Sequence, residues 1–240
     1  MGIIAASRLR ESVRNPMFDN AVAYYRFDET TGDAIDLVNG YNGTLRGSFL
    51  INISRDGEYY TFDAENEYVD IGDKDDFSFT DGAGNNTDFV IKTEVIFDDF
   101  NSIKAAFLIS KRNSPSGRSD EFQLIYFDNR IAFAIWDSSG SRFNLESILP
   151  VNFGQKYIIG VTLNGTTVSL FIDGVIEQTK TLPTGFTFYN SLSVIKFGDE
   201  TVSSNLNLLG KLKESVIIKG SGWSQQNITD NYNGGAGITY

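Results

Sequence analysis

Short runs of alternating apolar and polar residues recur along the chain, and this pattern constrains its fold more than any other feature. In residues 89–97, one side of the alternation carries Phe89, Ile91, Thr93, Val95 and Phe97. Because successive side chains of a β-strand point to opposite faces of a sheet, this run predicts a half-buried strand. Similar runs follow at roughly eight to twelve residue intervals, separated by turn signals such as Asp128-Asn129. Helical periodicity is nearly absent, and residues 224–232, with Ser224 as N-cap, are the one candidate helix. The chain therefore reads as an all-β sandwich.

The composition excludes several classes of protein. The chain contains no histidine and no cysteine, which removes Ser-His-Asp and Cys-His catalysis, disulfides, and thiolate- or histidine-ligated zinc. The formal net charge of −11 argues against nucleic acid and anionic membranes as partners. No apolar run is long enough for a membrane-spanning helix. A chain without cysteine is typical of synthesis in a reducing cytoplasm.

Residues 1–20 differ in charge from the rest of the chain. They contain three arginines and two acidic residues, and +3 − 2 = +1 leaves −12 for residues 21–240 of a chain with net charge −11. This contrast divides the chain into an extended N-terminal docking arm, residues 1–20, and a sandwich domain, residues 21–240. The arm side chains expected to dock are Ile3, Ile4, Arg8, Leu9, Arg10 and Arg14. The first ten residues resemble the N-termini of phage virion proteins.

Residues 23–47 begin with a short strand and continue through a turn-rich, acidic loop. This stretch resembles the first strand of concanavalin A-like jelly rolls of the laminin-G-like, pentraxin-related kind. Further blocks similar to that family follow in order: Phe62-Asp63 before Tyr68-Val69, Ile109-Ser110-Lys111, Asp173-Gly174, and residues 210–218. The resemblance covers residues 21–235 and implies a jelly-roll β-sandwich of two antiparallel sheets.

The same resemblance implies a structural calcium ion, since members of that superfamily often bind one near the first and last strands. The acidic residues that align with the family are Asp28, Asp36 and Asp63, and calcium prefers oxygen ligands. Lys213 departs from the pattern, because the family usually has an aspartate at that position. Its ammonium group beside Asp28 would replace the cation by an ion pair. A calcium site and a metal-free acidic turn are therefore both open.

Sugar sites on related sandwiches combine an aromatic platform with asparagine and aspartate side chains from loops. The aromatic candidates are Tyr126, Trp136, Tyr189 and Trp223, although aromatics at alternating strand positions are more often core residues. Retaining glycosidases of this fold share a Glu-x-Asp-x-x-Glu strand that is missing from this chain. We therefore expect no catalytic residues and no enzymatic activity.

Together these features favour a structural virion protein, made in the cytoplasm of a bacterial host. Its arm would bind other virion proteins while its lectin-like domain recognises a surface or a cell-surface glycan, without membrane insertion. Arm exchange between identical subunits would give a homo-oligomer. The alternative is a free bacterial carbohydrate-binding module or calcium-dependent adhesin. A secretion signal would favour that alternative, and residues 3–6 are too short an apolar run for one.

Overall fold

The structure is a computed structural model, and it describes residues 15–47, 53–64, 66–98, 105–112, 120–199 and 206–237. The predicted docking side chains Ile3, Ile4, Arg8, Leu9, Arg10 and Arg14 lie outside these residues. The strands are β1 Ala21–Tyr25, β2 Thr44–Arg46, β3 Ser54–Arg55, β4 Tyr60–Phe62, β5 Tyr68–Gly72, β6 Phe89–Phe97, β7 Ala105–Lys111, β8 Phe122–Phe127, β9 Arg130–Trp136, β10 Arg142–Glu146, β11 Lys156–Asn164, β12 Thr167–Ile172, β13 Val175–Thr181, β14 Ile195–Phe197 and β15 Gly210–Lys219. The α-helix α1 spans Gln225–Tyr232, and 3-10 turns occur at Pro16–Phe18, Asp75–Phe77 and Asn233–Gly235.

The strands form two antiparallel sheets that pack face to face. The larger sheet has the order β13-β12-β11-β6-β15-β4-β3, and β1 pairs with the C-terminal half of β15. The smaller sheet has the order β10-β9-β8-β7-β14-β5-β2. The predicted all-β jelly-roll sandwich of two antiparallel sheets is confirmed.

The main hydrophobic core lies between the two sheets. β6 has the predicted bounds, and its alternate residues Phe89, Ile91, Val95 and Phe97 all belong to this core. Their neighbours on the strand point to the outer face of the larger sheet, as the period of two requires. Residues of β8 and β9 alternate in the same way, since Ile131, Phe133 and Ile135 of β9 also lie in the main core.

A second hydrophobic cluster covers the outer face of the larger sheet. Phe18, from the first 3-10 turn, packs edge-on against Tyr24 and Trp223, with ring centroids 5.8 and 6.2 Å away. The Trp223 indole N–H donates to the Met17 carbonyl oxygen at 3.2 Å, and Ile228 of α1 completes the cluster. Residues 15–20, which the sequence assigned to the arm, are therefore part of the folded domain, and the rest of the predicted arm lies outside the described residues.

Lys92 of β6 is fully buried on this outer face. Its ammonium group donates to Glu214, whose second carboxylate oxygen accepts from the Tyr24 hydroxyl at 2.7 Å. A buried cation persists in a protein interior when it is paired and hydrogen-bonded. The first 3-10 turn and α1 thus cover the outer face of the larger sheet, which carries the buried ion pair of Lys92 and Glu214 besides its apolar side chains.

Two sequence predictions are adjusted by the structure. β10, whose outward residues are polar, was not predicted, and β2 is a short strand that ends at Arg46. The predicted helix is confirmed as α1, where the Ser224 side chain accepts from the Asn227 N–H and the Asn227 side chain accepts from the Ser224 N–H. In the described part of the chain, no helix is long and apolar enough to cross a membrane.

Candidate functional site

Two of the four candidate sugar-binding aromatics lie in the hydrophobic interior. Tyr126 is part of the main core, where its ring centroid lies 5.3 Å from that of Phe97. Trp223 is part of the second cluster. Neither ring presents an open face to solvent, because packed neighbours cover both of them. We therefore leave Tyr126 and Trp223 out of the proposed site.

The other two aromatics, Trp136 and Tyr189, are brought together at one end of the sandwich. The Tyr189 backbone N–H donates to the Trp136 carbonyl oxygen at 3.0 Å, and Asp137 and Phe188 form an isolated β-bridge beside them. Tyr189 is half-buried, whereas Trp136 is 6% exposed. Asn190 follows Tyr189 directly in sequence and lines a groove whose other lining residues are also mostly polar.

The groove has a volume of about 360 Å³, within the usual range for small-ligand sites. Its lining is polar: Asp75, Asp76, Thr80, Asp81, Gly82, Asn190 and Lys219. These residues come from the loop around the second 3-10 turn, the segment after Tyr189, and the end of β15. Their spacing in sequence gives no hint that they meet, which is why sequence reasoning missed them.

Some polar groups of the groove are already engaged within the protein. The Asp76 carboxylate accepts from the Tyr41 hydroxyl at 2.6 Å. Asp81 accepts from the Asn85 side-chain amide and from the backbone N–H groups of Asn85 and Ala83, and these hydrogen bonds lower its pKa. A carboxyl group with a lowered pKa is a poor general acid. Asp81 is therefore suited to ordering the loop.

Other groups of the groove stay available for a ligand. The Asp75 carboxylate and the Asn190 side-chain N–H₂ make no hydrogen bond within the described residues, whereas the Asn190 Oδ1 accepts from Ser78. The Lys219 ammonium group donates to the Asp75 carbonyl oxygen at 3.2 Å, and burial lowers its pKa. A carboxylate acceptor, an amide donor and an ammonium donor in one groove match the alternating hydroxyl groups of a sugar.

A buried polar network holds Asn190 in place. The Ser78 hydroxyl donates to Asn190 Oδ1 at 3.0 Å and accepts from the Lys111 ammonium group at 2.7 Å. Lys111 also donates to Glu121 Oε1 at 2.6 Å and lies 3.2 Å from Asp73 Oδ1. Burial raises the pKa of Glu121, although the neighbouring Lys111 acts in the opposite direction. The groove is thus connected directly to an ion pair in the interior.

The three predicted calcium ligands are not gathered at one point. No group of three acidic side chains suited to a metal ion occurs in the part of the chain that the structure describes. Asp63 is exposed after β4, whereas Asp36 is buried in the loop between β1 and β2. The calcium site stays an untested prediction.

Asp36 acts as the organising acceptor of its loop. One carboxylate oxygen accepts from the N–H groups of Tyr24 and Val38, at 2.9 and 3.1 Å. The other accepts from Asn39 and Tyr41, at 2.9 and 3.1 Å. Four backbone donors occupy this carboxylate, and this accounts for an acidic residue at this position in the loop.

Asp28 lies in a second, smaller cavity with two cationic side chains. The Arg26 guanidinium pairs with Asp28 at 2.6 Å, and Lys213 and Glu58 line the same cavity of about 180 Å³. Lys213 pairs with Glu58 at 3.1 Å, and this hydrogen bond and the nearby carboxylates raise its pKa although burial acts against them. Lys213 lines the cavity of Asp28, as the sequence suggested, but its ion-pair partner is Glu58, and the cation that pairs with Asp28 is Arg26.

The fold and the groove define the class of protein: a jelly-roll β-sandwich with an open groove of polar residues at one end. No protein-family model matches the chain, and no curated protein matches it. Solved structures do. The binding domain of Paraclostridial Mosquitocidal Protein 1 superposes with a TM-score of 0.70 at 17% identity, covering 91% of this chain and 53% of that one.

Two botulinum neurotoxin structures superpose in a similar way. The serotype D ligand binding domain in complex with N-acetylneuraminic acid has a TM-score of 0.64 at 16% identity, covering 92% of this chain and 53% of that one. The serotype D binding domain has a TM-score of 0.63 at 15% identity, covering 90% and 51%. The chain spans about half the length of these three structures, and at such identity the likeness shows the fold alone.

Proposed function

We propose that this chain is a non-enzymatic, lectin-like module that binds a saccharide in the polar groove. The observation that carries the proposal is the free Asp75 carboxylate facing the same groove as the free amide N–H₂ of Asn190. Sugar recognition needs fixed acceptors and donors, and the buried network through Ser78 and Lys111 fixes Asn190 before a ligand arrives. That several similar folds are binding domains of toxins supports the proposal by analogy.

The groove should lose affinity when its free groups are removed. We expect Asp75→Asn and Asn190→Ala each to weaken saccharide binding about tenfold or more, because the first removes the negative charge and turns one acceptor oxygen into a donor, and the second removes the amide donor. A glycan array probed with the labelled full-length chain identifies the saccharide, and calorimetric titration then measures its affinity for each variant. Asp128→Asn is the matched control, since Asp128 lies in the turn at the opposite end of β9. Unchanged affinity in both groove variants would contradict the proposed site.

We further propose that the protein is a virion component made in a bacterial cytoplasm, and that residues 1–14 attach it to other virion proteins. This part of the proposal is supported by the sequence of the arm. The fold sharpens the test, because a truncation after residue 20 would remove Phe18 from the second cluster. The truncated bait should therefore begin at Asn15, not at Ala21.

Pull-down from a source lysate separates this role from its alternative. The full-length chain and residues 15–240 serve as baits, each with and without chelator. We expect the full-length bait alone to recover a capsid or tail protein, with no effect of chelator. If both baits instead retain polysaccharide and chelator releases it, the chain acts as a calcium-dependent adhesin or carbohydrate-binding module, and the calcium prediction regains support.

A further inference from the structure

Two arginines, Arg112 and Arg142, lie against the ring of Trp136. Because Ile131, Phe133 and Ile135 of β9 face the main core, Trp136 faces the outer side of the smaller sheet. Arg142 is its direct partner across the β9–β10 register, and the Arg142 Cζ lies 5.5 Å from the centroid of the Trp136 ring. The Arg112 Cζ lies at the same distance of 5.5 Å from that centroid. Such contacts hold a guanidinium in a fixed orientation.

The two arginines differ in their partners. Arg112 bonds Asp120, with 2.9 Å between its Nε and the carboxylate oxygen. The Arg142 guanidinium makes no hydrogen bond or ion pair with any described residue, although the chain carries more acidic than basic residues. Burial and the positive charge of Arg112 both lower the pKa of Arg142. The nearby Glu146 raises it, but by less than either of them lowers it. Asp137 does not compensate it, because its carboxylate accepts from Ser139 and Ser141.

We infer that Arg142, oriented by Trp136 and flanked by Arg112, is an anion-binding subsite for the carboxylate or sulfate group of an acidic saccharide. A planar guanidinium binds such groups through two parallel hydrogen bonds. The subsite is connected to the groove through the backbone, because the Tyr189 N–H donates to the Trp136 carbonyl oxygen and the next residue, Asn190, lines the groove. The inference rests on the proposed function, to which it adds the class of saccharide.

The test compares ligands that share a neutral part and differ in charge. Lactose, 3′-sialyllactose and 3′-sulfolactose are titrated into the full-length chain, and sodium sulfate is titrated alone. We expect each charged saccharide to bind about tenfold or more tightly than lactose, and Arg142→Gln to abolish this preference. Arg142→Lys should retain part of it, since the charge stays but the planar fork is lost. Arg46→Gln is the matched control, because Arg46 is an exposed arginine on β2 at the far edge of the same sheet.

Failure of the inference and failure of the proposed function give different results. Equal binding of lactose and the charged saccharides, or a preference that survives in Arg142→Gln, overturns the subsite and leaves the groove intact. If no saccharide binds, the sulfate titration decides the subsite, read from the side-chain N–H signals of arginine and tryptophan in NMR spectra. Saturable shifts that vanish in Arg142→Gln support the subsite, and shifts that never saturate overturn it.

Discussion

Replacing Asp36 with asparagine should lower the free energy of unfolding by about 3 kcal/mol or more, since buried donors left without an acceptor cost about 1–3 kcal/mol each. In the native loop, each oxygen of this carboxylate accepts two backbone N–H groups, and the residue is 4% exposed. An asparagine keeps one acceptor oxygen and turns an N–H₂ group toward the other two donors. Urea unfolding of the variant and the native chain measures the difference.

Asp33→Asn is the control for this substitution. Asp33 is exposed in the same loop, so its replacement should change the stability by no more than about 0.5 kcal/mol. Added calcium should leave both variants and the native chain unaffected. A rise in the melting temperature of the native chain with calcium, absent from Asp36→Asn, would show that Asp36 binds a metal and would overturn its role as loop acceptor.

Replacing Lys111 with methionine should destabilise the fold by about 3–5 kcal/mol, the range seen when one partner of a buried ion pair is removed. Lys111 is fully buried and Glu121 is 2% exposed, so the variant leaves a carboxylate in the interior without its cation. Asn190 also loses its link to the interior, because the Lys111 contact to Ser78 disappears. The same variant should therefore bind saccharide more weakly, even at temperatures where it is folded.

The pH dependence of the free energy of unfolding shows whether the unpaired Glu121 carboxylate causes the loss of stability in Lys111→Met. Burial raises the pKa of Glu121 above its ordinary value of 4.5. A carboxyl group with a raised pKa in the folded state favours folding below its unfolded pKa, and this contribution is lost as the pH rises through the folded value. Without Lys111 the folded pKa rises further. The deficit of Lys111→Met should therefore be small near pH 4 and grow toward pH 7.

Two controls accompany Lys111→Met. The double variant Lys111→Met with Glu121→Leu should recover most of the lost stability, because apolar pairs replace buried ion pairs well. Lys213→Met removes a half-buried lysine whose partner, Glu58, is exposed, and should cost about 1 kcal/mol or less. A deficit in Lys111→Met that is independent of pH would mean that lost packing, and not an unpaired charge, is responsible.

The strands were predictable wherever alternation and turn chemistry agree. β6 has the predicted bounds, because its main-core residues alternate along the strand, and β8 and β9 are joined across the predicted turn Asp128-Asn129. β10 escaped prediction because Phe143 and Leu145 are its only buried residues, and its place depends on pairing with β9. The alternation of residues predicts a strand when many of its side chains are buried. An edge strand such as β10 buries few side chains, so its position depends on its hydrogen bonds to the neighbouring strand.

The depth of each aromatic side chain could not be predicted from its type. Trp223 and Trp136 were both candidates for a surface site, yet both are buried, Trp223 because the first 3-10 turn covers it and Trp136 between two arginines. The groove was hidden for a related reason. Asp75, Asn190 and Lys219 belong to distant segments, and only the closure of the sandwich brings them together. The burial of Lys111 could not be predicted either, because the residues next to it in sequence do not indicate that Glu121 and Ser78 are its partners.

The chain has two tryptophans, and the fold places them in unrelated surroundings. Trp223 donates its indole N–H to Met17 and sits among the rings of the second cluster, whereas Trp136 lies among guanidinium groups. Their fluorescence is therefore separable by substitution. With Trp136→Phe, emission reports whether the terminal segments stay docked; with Trp223→Phe, it reports ligand arrival, so one optical signal divides into a folding probe and a binding probe.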